Sequence, residues 1–114
     1  MKYMVLIYSD EKIESELSAD EWKELLDQHN TFATNYGDAV LSAEALEPTH
    51  TGKTLRRKGE DVTLLDGPFA ETKEQLGGFY LLEAASIDEA AGMARDLPLA
   101  EYSSIEIRPV MDVG

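Results

Sequence analysis

Two parts of the chain carry residues able to do chemistry: the surroundings of His29, and the run Asp66-Gly67-Pro68-Phe69-Ala70-Glu71-Thr72-Lys73-Glu74. His29 falls in a series with Trp22, Leu25, Leu26, Phe32, Ala33 and Tyr36 at three- and four-residue intervals, so it sits inside an apolar helix stripe. A histidine that titrates near neutrality can give or take a proton in a pocket shielded from water. The plain alternative is a core histidine with one ring nitrogen bonded to a backbone carbonyl. His50, among Pro48, Thr49, Thr51 and Gly52, reads as an exposed loop residue.

Asp66 can cap its own turn, with Gly67 supplying positive φ and Pro68 rigidity, which accounts for it without chemistry. Yet Asp66 to Gly78 is about a dozen residues between two strands, longer than a hairpin needs, and such loops are often lids or binding loops. Glu71, Lys73 and Glu74 set two carboxylates beside an ammonium there. They can orient a polar ligand, or simply form solvated ion pairs. Arg108 lies on a strand that alternates Ile105 and Ile107 with Glu106 and Arg108; it can grip a carboxylate bidentately or pair with Glu106. Lys53, Arg56, Arg57 and Lys58 form the basic cluster, either an anion site or charge that keeps a short edge strand from pairing. No metal-ligand spacing and no Gly-rich loop leading into a helix is present, so neither a metal nor a nucleotide cofactor is expected.

The elements that must position these residues are legible from periodicity. Tyr3 to Tyr8 is nearly all apolar and rich in strand formers, which predicts a strand buried on both faces. Ser18 and Glu21 make a capping box that starts a helix, and Gly37 stops it. Val40 to Leu46, Thr54 to Lys58 and Asp61 to Leu65 read as short strands forming the middle of a sheet. Gly77 to Ala84 is a second strongly apolar strand. A second capping box at Ser86 and Glu89 starts a helix whose small face is Ile87, Ala90, Ala91 and Ala94, and Ser104 to Val110 is the last strand.

This order predicts one α+β domain over residues 1–114, a ferredoxin-like antiparallel sheet with both helices on one face. Two helices cover only one side, so the apolar strands leave an open face that a second copy would cover, giving a homodimer with a pocket between the sheets. A net charge of −13 argues against binding nucleic acid or anionic lipid. The absence of cysteine excludes disulfides and suits a reducing compartment. With no signal-peptide pattern and no apolar run of about 20 residues, a cytoplasmic protein is expected.

The Asp66–Glu74 run, with Gly77-Gly78-Phe79-Tyr80 after it, closely resembles the signature of YCII-related proteins of the DGPF-motif branch. The opening Met1–Tyr8, the helix bearing Trp22 and the closing Ile105–Val110 resemble that branch too. The resemblance implies a dimeric α+β barrel. It also implies a His–Asp active-site pair with the histidine in the first helix, which His29 matches; Asp66 is the leading aspartate and Asp38 the other candidate. Lys73 and Arg108 would then orient an anionic ligand. Relatives that stand beside or fused to extracytoplasmic-function sigma factors imply an association with such factors, and with it the alternative of a non-catalytic ligand-binding or regulatory module.

Overall fold

The apolar N-terminal run becomes β1 (Lys2–Ser9) in the computed structural model, which describes residues 1–68 and 70–114. Phe69 of the motif lies outside the described residues. Asp10 ends β1 and then acts as a cap: its carboxylate accepts from the backbone N–H groups of Lys12 and Ile13 and starts a single helical turn, α1 (Glu11–Glu14). That turn is not visible in the periodicity, because four residues are too few to show one. Ser18 and Glu21 exchange both bonds of the expected capping box, and α2 (Ala19–Tyr36) runs on to Gly37. The chain continues through β2 (Val40–Ala45), β3 (Lys53–Lys58), β4 (Asp61–Asp66), β5 (Gln75–Glu83), α3 (Ile87–Ala94) and β6 (Ser103–Pro109).

The main sheet has the order β2-β5-β1-β6, and each pair is antiparallel. This is the α+β, ferredoxin-like arrangement expected from the element order. The two most apolar strands, β1 and β5, take its centre. Gly78 allows the tight approach of β5 to β2, since a Cβ there would lie 2.9 Å from the Glu44 carbonyl oxygen. β3 and β4 do not join this sheet, contrary to the expectation that they form its middle; they pair only with each other as a separate hairpin. β5 already occupies the sites beside β1 and β2, and a strand with Arg56, Arg57 and Lys58 exposed to solvent has no means of being buried there.

α2 and α3 pack on one face, where Tyr3, Val5, Tyr80 and Leu82 meet Phe32, Ala90, Met93 and Ala94. Val5, Leu82 and Phe32 are the large side chains buried most completely. The buried face of α3 is thus Ala90, Met93 and Ala94, while Ile87, expected on it, is 44% exposed. β1 is buried on one side rather than two: Met4 and Leu6 of β1 and Phe79 and Leu81 of β5 alternate onto the opposite face, which neither helix covers. Among the described residues no helix is long and apolar enough to cross a membrane.

Candidate functional site

α2 carries His29 one turn ahead of Phe32, and Phe32 fixes the helix to the sheet. The Phe32 ring is 1% exposed and meets the Tyr80 ring edge-on, with centroids 4.9 Å apart. Tyr80 shares the helix-covered side of β5 with Gly78 and Leu82, which aims its hydroxyl at the helix above. The result is a direct bond between His29 Nδ1 and Tyr80 Oη at 2.8 Å, with the two rings nearly parallel, 11° apart.

Burial pushes the His29 imidazole below its ordinary pKa and the Tyr80 phenol above its own. Both are therefore neutral at pH 7. The Tyr80 hydroxyl either donates to an unprotonated Nδ1, with the ring proton then on Nε2, or accepts from Nδ1–H.

This pair forms part of the wall of a cleft of about 1040 Å³. α2 supplies Trp22, Leu25, Leu26 and His29 to the cleft; β5 supplies Gly78 and Tyr80, and the segment after α3 supplies Tyr102. α1 closes another side. The Glu11 carboxylate accepts from the Thr49 backbone N–H at 3.0 and 3.2 Å and from the Thr49 hydroxyl at 3.1 Å, which ties α1 to the turn bearing His50. His50 is exposed, as its surroundings predict, and also lines the cleft. Burial, followed by the nearby Glu11 and Asp10, raises the pKa of Glu14, and burial with Glu14 and Glu21 raises that of Tyr102. The lining is rich in acidic residues: Glu11, Glu14, Glu21, Glu24 and Glu47.

The other residues singled out from sequence lie elsewhere. Asp66 ends β4, is exposed, and accepts from Lys53 Nζ at 2.6 Å; it does not meet His29 within the chain. Gly67 after it takes the positive φ expected, 82°. Asp38 lies in the 3-10 turn that follows α2, exposed and outside the cleft. Glu71 and Lys73 are exposed in the loop and Glu74 is half-buried, with the Thr72 hydroxyl donating to the Glu74 carbonyl. Arg108 is on the open face of the sheet, paired in register with Met4, beside Glu106, which accepts from the Tyr8 hydroxyl at 3.3 Å. The proposed anion-orienting groups are therefore not in the His29 cleft of the same chain. Among the described residues no cluster of three metal-ligating side chains occurs.

Tyr80 is the bonding partner of His29 that the sequence reading omits. Its signal was available: in Gly78-Phe79-Tyr80-Leu81-Leu82, strand alternation groups Tyr80 with Gly78 and Leu82 beneath the helix that carries His29. Trp22 was read as part of a core stripe, but it is 39% exposed and faces the cleft.

The family model for the YCII-related domain matches residues 1–113. An uncharacterized protein of Rhizobium meliloti (strain 1021) is 42% identical over 114 residues, an alignment covering 96% of this chain and 92% of that protein. A ferredoxin-like α+β chain matched by that family model over almost its entire length belongs to the YCII-related family.

Proposed function

We propose that this YCII-related chain is a cytoplasmic homodimer that binds a small molecule in the α2–β5 cleft and performs acid–base chemistry on it through His29. The observation that carries this is the His29–Tyr80 bond in the wall of the cleft. A neutral imidazole tied to a neutral phenol has two tautomers, and Tyr80 suits either by turning its hydroxyl to donate or to accept, while the ring proton itself is exchanged with solvent or ligand. In one, Tyr80 donates to Nδ1 and Nε2–H is a donor to a ligand oxygen. In the other, Nδ1–H donates to Tyr80 Oη and Nε2 is a base for a ligand proton. The Asp66–Glu74 motif supports placement in the DGPF-motif branch, and the uncovered apolar sheet face supports dimerisation as an α+β barrel. Asp66 would act on His29 only from the other copy.

A second reading, a non-catalytic ligand-binding or regulatory module of the kind linked to sigma factors, draws on one feature: His29 has a phenol and not a carboxylate as its partner. One experiment separates the two. A panel of small metabolites is screened by the fluorescence of Trp22, the one tryptophan of the chain, and binders are assayed for turnover in wild type, His29→Gln and Tyr80→Phe. Turnover that falls about 100-fold or more in His29→Gln supports acid–base catalysis. Binding that survives His29→Gln without turnover in any form supports the module. Binders that leave Trp22 unperturbed and whose affinity His29→Gln leaves unchanged would remove the cleft from both readings.

A further inference from the structure

The β3–β4 hairpin is the part of the fold that the cleft leaves unused. Its register puts Leu55, Arg57, Val62 and Leu64 on one face of the ribbon, and Thr54, Arg56, Thr63 and Leu65 on the other. On the first face Leu55 is 70% exposed, Leu64 58% and Val62 51%. Among the described residues β3 and β4 pack substantially only on each other. A lone two-stranded hairpin is marginal in water, so an apolar face of this kind needs cover.

The same chain presents a matching surface. Met4, Leu6, Phe79 and Leu81 form the centre of the uncovered sheet face, and the register sets Glu44 opposite Phe79 and Glu106 opposite Leu6 on that face. The hairpin, Lys53–Asp66, holds four of the chain's ten cationic side chains, Lys53, Arg56, Arg57 and Lys58, against the carboxylates of Glu60, Asp61 and Asp66, so it is slightly net positive on a protein whose net charge is −13. Two bodies of that charge repel each other, whereas a basic arm laid on an acidic body attracts.

Size points the same way. The radius of gyration is 16.1 Å, against roughly 13 Å for a compact chain of this length. The accessible surface of 8308 Å² compares with roughly 6200 Å² for a monomeric protein of this mass. The excess, about 2100 Å² per chain, is of the size that obligate homodimers bury, roughly 2000–5000 Å² counted over both partners.

We infer that the β3–β4 hairpin is a dimer arm, whose Leu55–Val62–Leu64 face packs on the open sheet face of a second copy with Arg57 set against that copy's carboxylates. This rests on the dimer put forward above and assigns the contact that holds it together.

The test is sedimentation equilibrium of the full chain as wild type and as the double variant Leu55→Lys/Leu64→Glu, which leaves the net charge unchanged. Both side chains are exposed in the single chain, so circular dichroism is expected to match wild type. The expected result is a wild-type dimer at micromolar concentration and a dissociation constant raised at least about 100-fold in the variant, since two buried leucines become charges. A monomeric wild type overturns the dimer and the arm together. A wild-type dimer whose constant moves less than about threefold in the variant overturns the arm and leaves the sheet-face dimer standing. Should the variant misfold, crosslinking decides, because the chain has no cysteine. Leu64→Cys mixed in turn with Met4→Cys, Leu6→Cys, Phe79→Cys or Leu81→Cys gives a disulfide between the two different variants if the arm reaches the other copy's sheet, and none with any of the four if it does not.

Discussion

Tyr80→Phe removes one hydroxyl and leaves the aromatic packing on Phe32 intact, so it isolates the bond to His29 Nδ1. A net intramolecular hydrogen bond contributes about 0.5–1.5 kcal/mol. Because the ring borders an open cleft where water can replace the lost donor, the cost falls near the lower end, about 0.5 kcal/mol, or about 2 °C in Tm for a chain of this size. The electrostatic consequence is the sharper one. A bond that Nδ1 accepts stabilises the neutral ring, so losing it lets the His29 pKa rise back toward the ordinary value of about 6.5. Nitrogen-15 NMR of the two histidines reads both effects: in wild type His29 carries its proton on Nε2 at neutral pH and titrates below the ordinary value, whereas in Tyr80→Phe it titrates higher. The folded-state pKa lies below the unfolded one, so the unfolded chain binds more protons as the pH drops. The contribution of His29 to stability is therefore complete above about pH 6.5 and is lost as the pH falls through the lowered folded-state value. A wild-type His29 that titrates at or above the ordinary value would refute the buried neutral ring, and one that is indifferent to Tyr80→Phe would refute a bond donated by Tyr80 to Nδ1.

Three further outcomes are expected. Phe32→Ala empties the centre of the core beside Tyr36 and Tyr80 and costs about 3–5 kcal/mol, read as a denaturant midpoint that drops with an unchanged slope. Gly78→Ala drives a Cβ against the backbone of β2 and costs about 1–3 kcal/mol, measured the same way; a neutral result would mean that β2 and β5 are less close than their pairing indicates. Asp66→Asn breaks only an exposed ion pair with Lys53, so Tm moves by less than about 2 °C and the His29 titration stays put; a displaced titration would mean that Asp66 of a second copy reaches the ring.

By itself the sequence determined every strand, the two longer helices and their order, though not the single turn α1. The capping box at Ser18 and Glu21, the Asp-Gly-Pro turn and the alternation in β6 are local chemistry, satisfied within a few residues, and each appears where the residue types put it; at α3 only half of the expected box forms, since Ser86 caps the Glu89 N–H while the Glu89 carboxylate accepts from the N–H of Ala85 and not of Ser86. It also marked His29 as a histidine on the sheet-facing side of α2. What only the tertiary structure decided was partnership. Whether His29 meets Asp66 or Tyr80 depends on which strand pairs with β1, a choice made between residues far apart in the chain, and β5 takes that place because it is the other long apolar run. The same competition excluded the cationic β3 from the sheet and left the β3–β4 hairpin projecting, its leucines exposed. Strand alternation fixes which residues share a face, but it does not say what covers that face; that depends on how many helices one chain can lay across its sheet, and here two helices cover one side and leave the other open.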